Sequence, residues 1–374
     1  MANEVRILHL FGRMDRGGAE LRTIDLMGHI DRSKYQFHFC SLSGQSGRLD
    51  DTIKALGGEV HLIPIYDVRF PWRFLQLLRQ YHFDIVYSHV HYPSGFLLWL
   101  AALAHIPKRI THFRNSADGR SNNLWHRFER GVLCKLIDHY STHILAVSQA
   151  AMLEAWNPHW NADSRCQVIY NGIDLCQFKA VEQKQEVREE FEIPEHAHLY
   201  IHVGRMDVAK NHARLLAIFT KIASEDQLAY LLMIGRGGNE IEKKLRSAIG
   251  QAGLERRVIF TGVRSDVPRL LKAADLMLFP SLYEGLPGVV LEAAVCGLPV
   301  LASDLGVIRE IATQLPLVHA LSLAASDDEW CAVAQKLRES YALETLRNAA
   351  ADAFVHSSFT MPACVQAHYK IWQD

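Results

Sequence analysis

The sequence lacks the features that mark membrane-spanning, secreted or disulfide-rich proteins. Its longest apolar run, residues 95–104, covers about half of a membrane span and predicts a buried helix. The seven cysteines are scattered and include no CxxC pair, which favours reduced packing residues over a disulfide framework. Residues 1–11 place a Glu before a short apolar run, unlike a signal peptide. We therefore expect a cytoplasmic protein, for which any membrane contact must be peripheral.

An excess charge of one sign and the common metal and dinucleotide motifs are also missing. The formal net charge is −1, which gives no support to nucleic-acid binding by the whole molecule. No Asp-x-Asp or HExxH motif occurs, so we expect no metal and no cofactor. The first predicted strand is not followed by GxGxxG, which argues against an NAD-dependent dehydrogenase.

Strand and helix patterns alternate through both halves of the 374 residues. The length suits two domains, and the 49% hydrophobic content is enough for a core in each. Apolar, β-rich runs such as residues 5–11 and 84–88, and later 199–204 and 275–280, are separated by helix-period segments. This alternation predicts an α/β protein with parallel, doubly wound sheets.

A polar stretch without a strand signal separates the two halves. It predicts a first Rossmann-like domain at residues 1–173, a linker at 174–198 and a second Rossmann-like domain at 199–358. Residues 359–374 have apolar positions at roughly helical spacing, and Pro362 suits the start of a helix. We therefore expect a separate C-terminal helix.

Glycine, histidine and arginine residues follow most of the predicted strands. In open α/β sheets, ligands bind outside the carboxyl ends of the strands, so these residues are candidates for a site. In chain order they are Arg16, Gly17 and Gly18; His89 and His91; His112 and Arg114; Gly204 and Arg205; Gly235 to Gly238; Gly262, Val263 and Arg264; and Tyr283, Glu284 and Gly285.

Residues 281–304 (SLYEGLPGVVLEAAVCGLPVLASD) carry the sharpest pattern. Pro287 suits the first position of a helix, because it has no amide proton and its φ is preset. The next three residues would then present free amides to an anion. Glu292 falls on the same helix face, where a carboxylate can accept hydrogen bonds from ribose hydroxyls. Glu284, ahead of the turn, suits the hydroxyls of a sugar.

Each of these residues taken alone has a simpler explanation. Glu284 reads equally as a loop charge and Glu292 as a solvated helix residue. Arg205 and Lys210 are two cations five residues apart after a strand, which fits either phosphate ligands or surface charges. In the same loop, Asn211 is expected to cap the next helix.

The segment 281–304 resembles the E-x7-E signature of the retaining glycosyltransferases of family four, which have the GT-B fold. The similarity extends over nearly the whole chain. Residues 10–20 resemble the N-terminal glycine loop of the family, and 168–174 resemble the strand and turn before its interdomain linker. Residues 202–212 resemble its Arg/Lys phosphate motif, and 260–274 its base-side loop. Five matches in the expected order specify the superfamily, but they do not specify the sugar.

The resemblance implies two Rossmann-like domains with parallel sheets facing across a cleft, and a C-terminal helix that crosses back to the acceptor-side first domain. It implies a metal-independent, retaining hexosyltransferase-type enzyme. The donor would be a UDP- or GDP-linked sugar. The acceptor would be a hydroxyl of a saccharide or lipid-linked saccharide in surface or exopolysaccharide assembly. A nucleotide-sugar epimerase and a non-catalytic nucleotide-sugar-binding protein remain as alternatives.

The resemblance also implies roles for individual residues. Arg205 and Lys210 would bind the diphosphate and stabilise the leaving group. Glu284 would hold the transferred sugar and Glu292 the ribose, and His112 matches the family histidine that faces the sugar. Further contacts to the donor or its phosphates would come from Gly17, Gly18, Gly285, Leu286, Pro287, Gly288 and Val289; the base-side loop would be Gly262, Val263 and Arg264; and His89, His91 and Arg114 are further candidates. At position 288 the family often has Asn, so this departure blurs the identity of the sugar.

The region from residue 69 to residue 139 is basic, with ten Lys or Arg against four Asp or Glu and a net charge of +6. Trp72, Phe74, Trp125 and Phe128 are interleaved with these cations. Basic amphipathic helices with aromatic residues dock on anionic lipid. Ordinary surface helices that bury their aromatics explain the pattern equally well. The first interpretation predicts peripheral contact with the inner face of the membrane.

Overall fold

The protein folds into two compact units, which we describe from a computed structural model. The first unit comprises residues 1–172 and 361–374, and the second comprises 173–360. Arg16 of the glycine loop and residues 117–122 of the basic region lie outside the described residues. The structure describes residues 4–15, 17–116, 123–178, 184–238 and 240–373.

A seven-stranded sheet forms the centre of the first unit within the described residues. The strands lie in the order β3-β2-β1-β4-β5-β6-β7, and every pair is parallel. They are β1 (Val5–Phe11), β2 (Tyr35–Ser41), β3 (Glu59–Leu62), β4 (Ile85–Ser88), β5 (Lys108–Phe113), β6 (His143–Ala146) and β7 (Cys166–Val168). The helices between them are α1 (Gly18–His29), α2 (Asp50–Ala55), α3 (Phe70–Tyr81), α4 (Ser94–Leu103), α5 (Leu124–Tyr140) and α6 (Gln149–Ala155).

Strand β1 shows why these sequences form a buried sheet. Ile7 and Phe11 pack into one hydrophobic cluster, whereas Leu8 and Leu10 pack into another. Successive side chains of a strand point to opposite faces, so an uninterrupted apolar run buries both faces at once. Parallel strands need helical crossovers, and these helices cover the two faces.

The second unit repeats this architecture with a six-stranded parallel sheet among the described residues, in the order β10-β9-β8-β11-β12-β13. Its strands are β8 (His198–Val203), β9 (Ala229–Ile234), β10 (Val258–Gly262), β11 (Leu276–Phe279), β12 (Val300–Ser303) and β13 (Val318–Leu321). Its helices are α7 (Lys184–Glu190), α8 (His212–Glu225), α9 (Glu240–Gln251), α10 (Val267–Ala273), α11 (Gly288–Val295), α12 (Gly306–Ala312), α13 (Asp327–Ser340) and α14 (Glu344–Val355). The predicted α/β class with parallel, doubly wound sheets is confirmed in both units.

The C-terminal helix α15 (Met361–Gln373) packs into the core of the first unit. Val365, Ile371 and Trp372 are buried there, and the ring of Trp372 lies edge-on to that of Phe37 at 5.7 Å. The hydroxyl of Tyr369 accepts a hydrogen bond from the amide of Asp31 at 2.8 Å. The C-terminal helix is therefore part of the hydrophobic core of the first unit.

Helix length also bears on the question of membrane contact. In the part of the chain that the structure describes, no helix is long and apolar enough to span a bilayer.

Candidate functional site

The turn between β11 and α11 carries part of the predicted site. Pro287 occupies the N-cap position, with φ −72° and ψ 98°, and the helix begins at Gly288. Because an N-cap carbonyl accepts the first helical hydrogen bond, the amide of Val290 donates to Pro287 at 3.1 Å. The predictions of Pro287 as the first helical residue and of three free amides are therefore wrong. Within the described backbone hydrogen bonds, two amides of this turn, those of Gly288 and Val289, have no acceptor.

Lys210 and Glu284, both predicted as catalytic, lie side by side. The ammonium of Lys210 is 2.5 Å from Oε1 of Glu284, and the two side chains are 18% and 12% exposed. The same ammonium lies 4.7 Å from the centre of the Phe279 ring, so a cation–π contact adds to the ion pair. Gly285 and Leu286, the next two residues, are buried. The turn thus holds one paired carboxylate beside a short run of buried backbone.

Two hydrogen bonds fix the loop that carries Lys210. The carboxylate of Asp207 accepts from the amide of Lys210 at 3.3 Å and caps the short 3-10 turn Val208–Lys210. The amide of Leu282 donates to the carbonyl of Ala209 at 2.7 Å, which ties the loop after β8 to the loop after β11. The predicted capping role of Asn211 is wrong. This residue stands at the N-cap of α8 in a left-handed conformation, and its side chain makes no capping bond.

Arg205, the second predicted phosphate ligand, is the more exposed cation. Its side chain is 74% exposed, and its guanidinium lies 3.6 Å from a carboxylate oxygen of Asp207. The backbone beside it is tightly packed. Gly235 has a φ of +150°, and a Cβ there would lie 1.9 Å from the carbonyl oxygen of Gly204. Only glycine fits that position, so the loop after β9 supports the loop that presents Arg205.

The predicted ribose and base-side residues lie in the same unit. Glu292 is half-buried on α11, the helix that begins with the two free amides. Gly262 ends β10 with a φ of +71°, and Val263 is 66% exposed. The loop after β10 therefore offers an exposed apolar side chain next to an exposed glycine.

Arg264 is engaged in an ion-pair cluster. Its guanidinium contacts both carboxylate oxygens of Asp266 at 2.8 Å and a carboxylate oxygen of Glu190 at 2.9 Å. The Arg264 guanidinium lowers the pKa of Asp266 well below its usual range. Glu190 belongs to α7, in the segment predicted as linker, so this partnership was not visible in the sequence. These ion pairs hold the base-side loop in place. The two carboxylates also balance the positive charge of Arg264.

In the first unit, the glycine loop needs no glycine for the fold itself. Gly17 is the N-cap of α1 with an extended backbone, and a Cβ there would meet the end of the flexible Glu20 side chain. A Cβ on Gly18 would have no atom within 4 Å. Backbone strain therefore does not explain these two residues, and the space beside Gly18 is open.

His89 and Arg114 belong to one buried chain of hydrogen bonds. The Nε of Arg114 donates to Nδ1 of His89 at 3.1 Å, and NH1 donates to Asn171 at 2.7 Å. Because His89 accepts at Nδ1, its proton sits on Nε2, which donates to Nδ1 of His9 at 3.0 Å. Because Nδ1 of His9 accepts this hydrogen bond, the proton of that ring lies on Nε2. This Nε2 is buried and has no hydrogen-bond partner among the described residues.

His112 lies within β5 rather than after it, and belongs to a second chain of buried hydrogen bonds. His368 of α15 has Nδ1 2.8 Å from the carbonyl of Cys364, which can only accept, so Nδ1 carries the proton. The hydroxyl of Tyr87 then donates to Nε2 of His368 at 3.3 Å and accepts from Nδ1 of His112 at 2.8 Å. This pattern leaves Nε2 of His112 as an acceptor, and it has no partner in the described part of the chain.

Burial sets the protonation of these groups. It lowers the pKa values of His9, His89 and His112 well below their usual range, and Arg114 lowers them further. Burial also lowers the pKa of His368 to about 4. At neutral pH all four imidazoles are therefore neutral, and each ring has one donor and one acceptor nitrogen.

His91 packs among aromatic side chains. Its backbone is left-handed, with a φ of +59°, and its ring packs edge-on against Tyr92 and Phe113. It lines a cavity of about 250 Å³ in the first unit, together with residues such as Asn115 and Arg130. The guanidinium of Arg130 lies 5.0 Å from the centre of the Tyr92 ring.

The basic region exposes three of the four aromatic residues that were singled out in the sequence. Trp72, Trp125 and Phe128 are 67%, 71% and 66% exposed, whereas Phe74 is buried. On α5, Leu124 and Val132 extend the exposed apolar face that Trp125 and Phe128 form. The simpler interpretation, in which the aromatics are buried, therefore holds for Phe74 and fails for the other three.

Comparison with known proteins identifies the family of this chain. Residues 16–177 match the family model Glycosyltransferase Family 4, and residues 183–358 match Glycosyl transferases group 1. The capsular polysaccharide biosynthesis glycosyltransferase CapH of Staphylococcus aureus is 32% identical over 291 residues, which cover 77% of this chain and 78% of CapH.

Two further proteins are similar over different lengths. The UDP-Gal:alpha-D-GlcNAc-diphosphoundecaprenol alpha-1,3-galactosyltransferase of Escherichia coli is 29% identical over 143 residues, which cover 38% of this chain and 37% of that enzyme. The crystal structure of Anabaena HepE in complex with UDP-glucose superposes with a TM-score of 0.78 at 20% identity, covering 99% of this chain and 100% of HepE. The similarity to HepE shows that the two chains share a fold.

Proposed function

The chain belongs to glycosyltransferase family 4, a retaining family with the GT-B fold, and from this premise we propose that it transfers a sugar from a UDP- or GDP-linked donor to a hydroxyl acceptor with retention of configuration. The observation that carries the proposal is the pairing of Lys210 with Glu284, at 2.5 Å, on the loop that leads to two free amides. A cation and a carboxylate held together in this way suit a phosphate and a sugar hydroxyl, respectively.

We assign stabilisation of the leaving group to the two cations of the loop after β8 and to the two free amides of α11. In the transfer, the bond between the anomeric carbon and the diphosphate oxygen breaks while the acceptor oxygen bonds to that carbon and passes its proton to an oxygen of the departing diphosphate. Arg205, Lys210 and the amides of Gly288 and Val289 stabilise the negative charge that develops on the diphosphate. A helix start with free N–H groups and two cations is an established way to bind phosphate.

The sugar and the nucleoside are assigned to the remaining residues of the second unit. Glu284 accepts hydrogen bonds from hydroxyls of the transferred sugar, and Glu292 accepts from those of the ribose. Gly262 and Val263 lie against the base, where an exposed valine offers apolar contact. Arg264 orders this loop through Asp266 and Glu190 rather than by touching the donor.

In the first unit, the open space above Gly18 supports close approach of the donor phosphates to Gly17 and Gly18. The unpaired Nε2 of His112 supports a hydrogen bond accepted from a sugar hydroxyl. His89 and Arg114 hold that part of the strand edge in place, and His91 belongs to the cavity. The cavity, with its histidine, asparagine and arginine lining, supports acceptor binding on this unit.

We assign the reaction no metal ion. The charge that a divalent ion would neutralise at the diphosphate is met by Arg205, Lys210 and the two free amides. The two cations lie on the loop after β8, and the two amides begin α11, directly after the loop that the Leu282–Ala209 hydrogen bond joins to it.

The acceptor is proposed to be a lipid-linked saccharide of surface or exopolysaccharide assembly. CapH acts in capsular polysaccharide biosynthesis, and the Escherichia coli relative is named for a diphosphoundecaprenol substrate. The apolar face of α5 gives this idea a physical basis in the present chain. Trp125 and Phe128 are exposed beside Arg127 and Lys135, and Glu129 is paired with His126. A surface of this kind suits an anionic membrane, so the protein would work at the inner face of the membrane as a peripheral enzyme.

The proposal is tested by mixing the purified protein with UDP-, GDP- and ADP-sugars and measuring nucleoside diphosphate release with and without an extract of lipid-linked saccharides. We expect one donor to release its nucleotide faster when acceptor is present, with the sugar recovered on the acceptor. Saturable binding of a donor without release would identify a nucleotide-sugar-binding protein instead. Conversion of the donor into a stereoisomer without release would identify an epimerase.

A further inference from the structure

Three potential metal ligands lie together on β2 and β3, in a part of the first unit that the proposed function does not use. The parallel register places His38 directly beside Glu59, and His61 follows two residues later on the same face of the sheet. Nδ1 of His38 lies 3.2 Å from Nε2 of His61 and 3.7 Å from Oε2 of Glu59. All three ligand atoms lie within 4.8 Å of one another.

These distances match a tetrahedral metal site. With bonds of about 2.0–2.1 Å from zinc to nitrogen or oxygen, neighbouring ligand atoms of a tetrahedron are about 3.3 Å apart. Two imidazoles and one carboxylate are a common ligand set for zinc, and they leave a fourth position for water. Ligand type and spacing therefore agree.

The three side chains already face one another. The two imidazoles share a single N–H···N bond, and the carboxylate of Glu59 faces His38. A metal ion would give the two ring nitrogens and the carboxylate one common partner.

Aromatic residues shape the surroundings. The ring of Tyr81 lies edge-on at 5.1 Å from His38 and 4.8 Å from His61, and that of Phe83 lies 5.0 Å from His38. Ring contacts of this kind restrict the orientation of the two imidazoles.

We propose that His38, Glu59 and His61 bind a zinc ion that clamps the edge strand β3 to β2. The site lies within two strands of the first unit and includes no residue of the proposed reaction, so its role is structural. Pinning an edge strand also removes a place where sheets pair with other chains.

The test uses untagged protein that has been stripped with a chelator and dialysed. Calorimetric titration with ZnCl₂ should give one zinc per chain, and Co²⁺ should produce the visible absorption of a tetrahedral complex. Saturation with zinc at about one hundred times its Kd should raise the Tm by at least about 5 °C. Absence of stoichiometric zinc binding by the wild-type chain would overturn the proposal.

Variants locate the ion. His61→Gln should abolish the zinc-dependent rise in Tm, and the exposed Glu59→Gln should weaken zinc binding by roughly 100-fold without disturbing the fold. His126→Gln removes a His–Glu pair on α5 that has no second imidazole within the described contacts, and it should bind zinc like the wild type. Unchanged zinc affinity in both Glu59→Gln and His61→Gln would place the ion elsewhere and end the proposal.

Discussion

The ammonium of Lys210 touches a carboxylate oxygen of Glu284, although 74 positions separate the two residues in the chain. Each charge is more than four-fifths buried and neutralises the other. A bound donor offers both groups better partners at the same time, a phosphate for the lysine and hydroxyls for the glutamate. In the proposed function, the pair would therefore keep both charges buried and neutralised until the donor binds.

The phosphate assignment predicts the effect of removing either cation. Arg205→Ala and Lys210→Ala should each lower turnover by roughly 100- to 1000-fold, the scale of losing one preorganised charge donor. Arg205→Ala should leave the Tm unchanged because its side chain is 74% exposed, whereas Lys210→Ala leaves Glu284 without its partner and should lower the Tm. Steady-state kinetics and thermal unfolding check both.

Lys243→Ala is the matched control, since Lys243 is 73% exposed and pairs with Glu240 on α9. It should behave like the wild type in both measurements. Wild-type turnover in Arg205→Ala and Lys210→Ala would remove the basis for the phosphate assignment.

Chelation separates the chemistry from the proposed zinc clamp. Turnover should persist in excess EDTA, because Arg205, Lys210 and two amides supply the positive charge at the diphosphate. The Tm should fall in the same solution if zinc leaves β2 and β3. Loss of all turnover on chelation, with recovery on adding Mn²⁺ or Mg²⁺, would contradict the assignment of a metal-free reaction.

Much of the fold could be predicted from the sequence because buried parallel strands are uninterrupted apolar runs. The predicted strands 5–11 and 199–204 agree with β1 and β8 to within one residue. β13 was missed, since three of its four residues are partly or fully exposed to solvent. β11 is equally short, but it is buried throughout and was predicted from its apolar run.

The site was harder to predict, because contacts between distant loops leave no local pattern. The loops of Arg205 and Glu284 were predicted to belong to the site, but the contact between Lys210 and Glu284 depends on how β8 and β11 pair in the sheet. His9 and Tyr87 lie inside apolar strands, and there they read as ordinary core residues. Their partners, such as His368, are up to 281 positions away.

Tyr87 is predicted to set the tautomer of His112. In ¹⁵N-labelled protein, His112 should carry its proton on Nδ1, and Tyr87→Phe should disturb that preference because the partner oxygen is lost. The variant should also lose about 1–3 kcal/mol of stability, because buried ring nitrogens lose a partner. Histidine ¹⁵N NMR reads the tautomer directly.

Tyr92→Phe is the control for this variant. Tyr92 is buried too, and its hydroxyl donates to the carbonyl of Ala155 at 3.1 Å, outside the His112 chain. It should cost stability and leave the signals of His112 unchanged. Protonation of wild-type His112 on Nε2 would contradict the prediction, because Nδ1 would then accept a hydrogen bond from Tyr87 instead of donating one.

The apolar face of α5 predicts binding to anionic vesicles. The double variant Trp125→Ser/Phe128→Ser should bind vesicles of phosphatidylglycerol and phosphatidylcholine at least about 10-fold more weakly than the wild type, because two exposed aromatics no longer insert. Arg127→Gln/Lys135→Gln should weaken binding mainly at low salt. Co-sedimentation measures both.

Leu343→Ser/Val355→Ser removes two exposed apolar side chains of the second unit, 65% and 55% exposed, and serves as the control. It should sediment with vesicles like the wild type. Equal binding of all three double variants, or no preference for anionic over neutral vesicles, would leave α5 without a role at the membrane.

The central claim is that the Lys210–Glu284 pair is the reaction centre of a nucleotide-sugar transferase, and Glu284→Gln tests it most directly. The amide keeps the size of the side chain and removes its charge, so calorimetry should give donor affinity within a few-fold of the wild type. Turnover should fall by at least about 100-fold, whereas Glu225→Gln, which removes a carboxylate paired with Lys221, should retain full activity. Turnover of Glu284→Gln equal to that of the wild type, with the same donor affinity, would contradict the account.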